Sequence, residues 1–236
     1  INGQKVGYWP YGYNSFHFDI TKYLKPGEKN TLAVRLENLP ESSRWYPGAG
    51  LYRNVHLIIT EDAYIPVWGT YITTPSVNEK FAKVNVRTKV VLPEGADPAK
   101  YSVETSVWNP NKQKLTAVRT SLAQMKYNNN QAEQEFVIQA PSLWSPEMPA
   151  LYSAETRLYE GDKLKDIYTT PFGIRSIEII PDKGFFLNGK RTVFKGVCNH
   201  HDLGPLGAAV NDAAIRRQIR ILKDMGCNAI RTSHNM

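Results

Sequence analysis

Two short stretches gather the side chains best suited to chemistry. One is Asn199, His200, His201 and Asp202; the other is "NAIRTSHNM", which carries Arg231, Thr232, Ser233 and His234. Imidazoles, hydroxyls and a guanidinium together can hydrogen-bond an oxygen-rich ligand. His200, His201, Asp202 and His234 could also supply nitrogen and oxygen ligands to a metal ion. Histidines at loop starts often do no more than satisfy backbone groups, and that reading stays open. Consecutive residues leaving a strand point to opposite faces, so at most one of His200 and His201 readily shares a centre with His234. No glycine-rich phosphate loop precedes the nearby helix, and neither Ser233 nor Cys198 lies in a nucleophile-elbow pattern.

The elements that must position these groups are a strand, a helix and a second strand. "RTVFKGVC" is an apolar run that reads as a strand buried on both faces, and "CNAIRTS" as its partner. Between them "NDAAIRRQIRILKDMG" is amphipathic, with Ile215, Ile219, Leu222 and Met225 on one stripe. Asn211 or Asp212 can cap its first amides, and Gly226 stands where a positive φ ends a helix. Such a βαβ unit belongs to larger α/β sheets or barrels. In a (β/α)₈ barrel the working side chains sit just past the C-terminal ends of the strands, which is where both polar stretches fall. Sixty residues cannot close a barrel, and a chain opening Ile-Asn-Gly-Gln reads as a piece of something longer.

Upstream the texture is all-β. Period-two runs, Phe16-Phe18-Ile20, Leu32-Val34-Leu36 and Val55-Leu57-Ile59, predict half-buried strands. From about Tyr64 six further runs follow, from "WGTYITTP" to "LYSAETRLYE", with turn signals such as "PEGADP" and "NPNKQ" between them, as in an immunoglobulin-like sandwich. "LWSPEMPALY" carries Pro146 and Pro149, which cannot donate to a central ladder, so it should cross an edge or bridge two sheets over Trp144. Asn188-Gly189 signals a type I′ turn. Trp45, Tyr46 and Tyr52 suit either packing or an aromatic platform for sugars.

Composition narrows the function classes. The formal charge of +7 comes from scattered Lys and Arg, with Arg216, Arg217 and Arg220 on a solvated helix face, which argues against nucleic acid. No run of about 18 apolar residues predicts a membrane span. Cys198 and Cys227 fall in neighbouring predicted strands and read as small core residues, so they fix no redox compartment.

Four motifs then carry a resemblance: "FDITKYLKPGEKNTLAVRLEN", "SRWYPGAGLYRNVHL", "LWSPEMPALY", and the stretch from "FLNGKRTVFKGVCNHHD" to "NAIRTSHNM". The chain resembles a segment of glycoside hydrolase family 2, most similar to its β-galactosidases. The family's pattern at the last motif is met by Asn228, Ile230, Arg231, Thr232, Ser233 and His234, and departs from it at Asn235, where Tyr is usual. The resemblance implies a mainly β fold: a partial jelly-roll sugar-binding domain over 1–62, an immunoglobulin-like β-sandwich over 63–173, and the first βαβ unit of a catalytic TIM barrel over 174–236. It implies that His200 and His234 line the sugar subsite, that Arg231 supports the catalytic carboxylates, and that Glu37 lies near the subsite. It also implies a retaining mechanism for terminal β-galactosides, through a pair of glutamates ~5 Å apart. Both glutamates belong to later barrel strands, so the segment alone is expected to be inactive, with no catalytic residue of its own. No cofactor is evident in the chain, while the family leaves Mg²⁺ or Na⁺ open for the whole enzyme, and a homo-oligomer as well. β-Glucuronidase and β-mannosidase are sister readings. A non-catalytic carbohydrate-binding β-sandwich protein is the reading from another class, and the βαβ unit argues against it.

Overall fold

The computed structural model describes residues 1–41, 50–123, 131–209 and 211–234. The chain divides into two compact units, one of residues 57–193 and the other of residues 1–56 with 194–236.

The first unit is built on seven strands: β1 (Thr70–Val77), β2 (Phe81–Lys89), β3 (Tyr101–Trp108), β4 (Lys114–Ser121), β5 (Gln131–Gln139), β6 (Tyr152–Glu160) and β7 (Lys163–Phe172). They form two antiparallel sheets, ordered β1-β2-β5 and β4-β3-β6-β7. Alternation places one face of each sheet inside. β2 buries Ala82, Val84, Val86 and Thr88, β5 buries Ala132, Gln134, Phe136 and Ile138, and β6 buries Tyr152, Ala154, Thr156 and Leu158. The buried Gln134 ties the two sheets together, its side-chain amide nitrogen donating to the carbonyls of Val103 (3.2 Å) and Val118 (3.1 Å), while its Oε1 is buried without a hydrogen-bond partner among the described residues. Outside the core, the Lys165 ammonium gathers Glu61 (2.5 Å), Asp62 (2.9 Å) and Glu160 (3.7 Å), and its side chain is only 6% exposed. That clamp pins the entry of the chain onto β6 and β7.

The expected bridge is present. The stretch "LWSPEMPALY" connects β5 in one sheet to β6 in the other, and the Trp144 amide donates to the carbonyl of Ile174 (2.8 Å). The guanidinium of Arg175 lies 4.8 Å from the Trp144 ring centroid. After it β8 (Ile177–Ile180), β9 (Gly184–Leu187) and β10 (Lys190–Arg191) make a small antiparallel sheet. Asn188 and Gly189 turn the chain between β9 and β10 with φ of 51° and 73°, the two positive values a type I′ turn demands. The Asn188 side chain also fastens the turn: its Oδ1 accepts from the Ser176 amide (3.0 Å) and its Nδ2 donates to the Trp144 carbonyl (3.0 Å).

The second unit departs from the sequence reading. None of the period-two runs in residues 1–41 and 50–56 forms a strand; a 3₁₀ turn at Thr21–Tyr23 is the one regular element there among the described residues. Phe16, Leu32, Leu36 and Val55 are exposed, as are Leu57 and Ile59 just beyond the unit. Period two marks an extended chain with an apolar side, but a ladder needs a partner strand, and no described segment of this unit pairs with these runs. Asn2 and Thr31 instead exchange hydrogen bonds through the Asn2 amide and side chain (2.9 and 3.0 Å).

The strand, helix and strand follow: β11 (Gly196–Asn199), α1 (Asp212–Asp224) and β12 (Ala229–Thr232), with β11 and β12 parallel. The Asn211 side chain accepts from the Ala214 amide (2.9 Å) and Gly226 takes φ of 87°, so both ends of α1 close as expected. β11 is shorter than "RTVFKGVC", and Val193 and Phe194 are exposed. Cys198 is exposed and Cys227 half-buried, both with free thiols, which corrects their reading as core residues. A two-stranded sheet covers neither of its own faces. For the same reason Ile215, Ile219 and Met225 stay exposed on α1.

Candidate functional site

The site is assembled on β11 and β12. Their lower ends are locked by Asn228, whose amide donates to the Lys195 carbonyl (2.8 Å) while its side chain accepts from the Lys195 amide (2.8 Å). Gly196 lies opposite Ala229, and a Cβ there would stand 2.4 Å from the Ala229 carbonyl oxygen, so only glycine allows the strands this approach.

In the register, Cys198 stands opposite Arg231 and Asn199 opposite Thr232. Arg231 Nη1 lies 3.6 Å from Cys198 Sγ and donates to Ser233 Oγ at 3.0 Å. The Arg231 hydrogen bond, then that of Ser233, holds the Cys198 thiol below its ordinary pKa. Ser233 is 2% exposed, and its amide donates to the Asn199 carbonyl (2.7 Å), carrying the pairing one step past β12. The next peptide bond, Ser233–His234, is cis.

Beyond the strand ends the imidazoles of His200 and His234 meet edge to face, with centroids 5.3 Å apart and planes at 90°. His201 turns elsewhere: its ring meets Tyr13 at 5.0 Å and 73°, and its Nδ1 is buried without a hydrogen-bond partner among the described residues. The two histidines just past β11 therefore point to different neighbours. Tyr13 neighbours Tyr11 at 5.6 Å, and the Tyr52 hydroxyl donates to the Gly12 carbonyl (2.8 Å). Burial pushes the Tyr52 phenol above its ordinary pKa.

Of the residues singled out in the sequence, His200 and His234 come together, and Arg231 sits on the same pair of strands, bound to the serine that precedes His234. Asp202 is half-buried. Glu37 is exposed and paired with Arg35 at 2.6 Å. Trp45 and Tyr46 lie outside the described residues. Among the described residues no group of three or more His, Cys, Asp or Glu is arranged to hold a metal ion. Among them, too, no helix is long and apolar enough to cross a membrane. Sequence reasoning passed over Ser233 as an anchor and Tyr13 as the neighbour of His201. A signal for the first existed, since Arg231 and Ser233 are two apart and so share a strand face. Two open clefts, of about 340 and 430 Å³, lie on the sandwich, and His200, Arg231 and His234 line neither.

Comparison with known proteins adds the wider frame. The profile of Glycosyl hydrolases family 2 matches residues 64–175, and that of the same family's TIM barrel domain matches residues 178–235. Over 236 residues the chain is 44% identical to the beta-galactosidase BoGH2A of Bacteroides ovatus, covering all of this chain and 28% of that protein. It is 40% identical to a putative beta-glucuronidase of Formosa agariphila, covering 22% of it, and 34% identical to a beta-glucuronidase of Bacteroides fragilis, covering 35%. The chain thus spans between about a fifth and a third of these relatives. A solved glycosyl hydrolase family 2 member from Bacteroides cellulosilyticus superposes with a TM-score of 0.89 at 37% identity, over 99% of this chain and 32% of that one. Beta-glucuronidase 2 of Bacteroides uniformis, solved covalently bound to cyclophellitol-6-carboxylate aziridine, superposes with a TM-score of 0.60 at 28% identity, over 74% and 22%. The chain belongs to glycosyl hydrolase family 2, with the family's sandwich domain and the opening of its TIM barrel.

Proposed function

We propose that this chain is a segment of a retaining glycosidase acting on terminal β-galactosides, organised as a sugar-binding domain over 1–62, a sandwich over 63–173 and the barrel opening over 174–236. The observation that carries the site is the meeting of His200 and His234 past the ends of two parallel strands, with their rings at right angles. Two imidazoles so placed can donate to hydroxyls of one sugar ring while Arg231, opposite Cys198 two residues before His200, supports a carboxylate. The carboxylates that protonate the leaving oxygen and form the glycosyl-enzyme come from other barrel strands. A relative trapped as a covalent adduct with an aziridine is consistent with such a nucleophile, since an aziridine alkylates the group that opens it. By itself the segment then hydrolyses nothing.

A β-glucuronide substrate is the second reading, favoured by the two glucuronidase relatives. The deciding experiment measures kcat/KM of the full-length enzyme on aryl β-galactoside, β-glucuronide and β-mannoside. Galactoside preference by tenfold or more supports the first reading. Glucuronide preference replaces it with the second, and no turnover of any of the three refutes the glycosidase assignment of these residues.

A further inference from the structure

We propose that Ser233 is a positioning residue that holds Arg231 in its working orientation, an inference that rests on the glycosidase reading above. Arginine has several rotatable bonds, and an unheld guanidinium at an exposed strand end spreads over many rotamers. Here one nitrogen, Nη1, is held twice on one face of the strand pair, by Ser233 Oγ at 3.0 Å and by Cys198 Sγ at 3.6 Å. The two acceptors differ in strength. The sulfur is a weak acceptor, whereas the hydroxyl is a good one and is itself fixed. Ser233 is 2% exposed, and its backbone amide is bound to the Asn199 carbonyl at 2.7 Å, so the oxygen is carried on a rigid support from both strands. A buried serine that spends its lone pair on a guanidinium at hydrogen-bond distance confines one edge of that fork and leaves the rest directed by it. A pre-oriented guanidinium can meet a carboxylate without first losing rotamer freedom, and it favours the ionised form of that carboxylate.

The test compares Ser233→Ala and Ser233→Thr in the full-length enzyme. The alanine variant is expected to lower kcat/KM on the preferred aryl glycoside about tenfold, mostly through kcat. It should also move the acidic limb of the pH profile to higher pH, because a carboxylate that loses its guanidinium protonates more readily. Ser233→Thr, which keeps the oxygen, should restore both. The crystal structure of Ser233→Ala should place Arg231 away from Cys198. An alanine variant with unchanged rate and pH limb overturns the proposal, and so does a rate loss accompanied by a lower melting temperature and an unmoved limb. If the wild-type enzyme turns over no glycoside, the functional reading fails, yet the structure of the variant still decides the role of Ser233: a guanidinium that stays in place without the hydroxyl refutes it.

Discussion

Replacing Asn188 should destabilise the sandwich unit in an order that the structure fixes. Asn188 occupies a left-handed conformation with φ of 51°, and its side chain makes two hydrogen bonds, one to the Ser176 amide and one to the Trp144 carbonyl, each at 3.0 Å. Each bond contributes about 0.5–1.5 kcal/mol net, with more lost if the Ser176 amide is left unsatisfied. An alanine also bears the steric cost of the left-handed region, about 1–2 kcal/mol. Asn188→Ala should therefore cost about 2–5 kcal/mol. Asn188→Gly loses the same bonds but not the steric strain, and after allowing for the freer unfolded chain it should be milder by about 1 kcal/mol. Urea unfolding followed by tryptophan fluorescence reports on this directly, since Trp68, Trp108 and Trp144 all lie in residues 57–193. An alanine variant within 0.5 kcal/mol of wild type, or a glycine variant as damaging as alanine, would show that the turn and its two hydrogen bonds do not support the sandwich.

Three further outcomes are expected. His234→Ala in the full-length enzyme should lower kcat/KM roughly 100-fold, about 3 kcal/mol of transition-state binding, with an unchanged melting temperature, because the side chain is exposed; a large melting shift with near-normal kcat/KM would make it a structural histidine. The hydrogen bonds from Lys165 hold the Glu61 and Asp62 carboxyls below their ordinary range, so their stabilisation is present above the unfolded pKa values and is lost as pH falls through the folded ones. The raised pKa of Lys165 keeps its own contribution intact below its unfolded value, so Lys165→Met should flatten the acid side of a melting-temperature profile below about pH 5, and identical profiles would refute the clamp. Limited proteolysis of the chain should cut first outside residues 57–193, whose strands bury two apolar clusters, and early cleavage within β2, β3, β5 or β6 would contradict this.

The sandwich was largely legible because each buried position recurs every second residue and the turns between carry Pro, Gly and Asn. β7 escaped for a physical reason: its apolar Leu164 and Ile167 face solvent while Lys165, Tyr168 and Thr170 are the more buried, so hydropathy runs against the pleat. The caps of α1 and the Asn188-Gly189 turn could be read from single residues, since each rests on one local conformation. The opposite holds for the first 56 residues. Phe16, Leu32 and Val55 announce an apolar side, but the sequence of a strand does not say whether its partner is in the same chain, and the same ambiguity misplaced Cys198. At the site, the separation of His200 from His201 could be anticipated from their adjacency at a strand end, whereas the edge-to-face meeting of His200 with His234 depends on a parallel register that no local pattern encodes.

Gly196 gives the strand pair a mechanical property. A methyl group there would meet the Ala229 carbonyl at 2.4 Å, and backbone cannot yield as a side-chain tip does, so any larger residue acts as a wedge at the foot of two stiff rods. His200 lies four residues further along, about 13 Å at the rise of a parallel strand. A splay introduced at the foot is delivered to the histidines and Arg231 as a change of spacing, with no altered contact to a sugar. Variation at this one position would tune the geometry of the rim from a distance, and a screen confined to residues that touch substrate would overlook it.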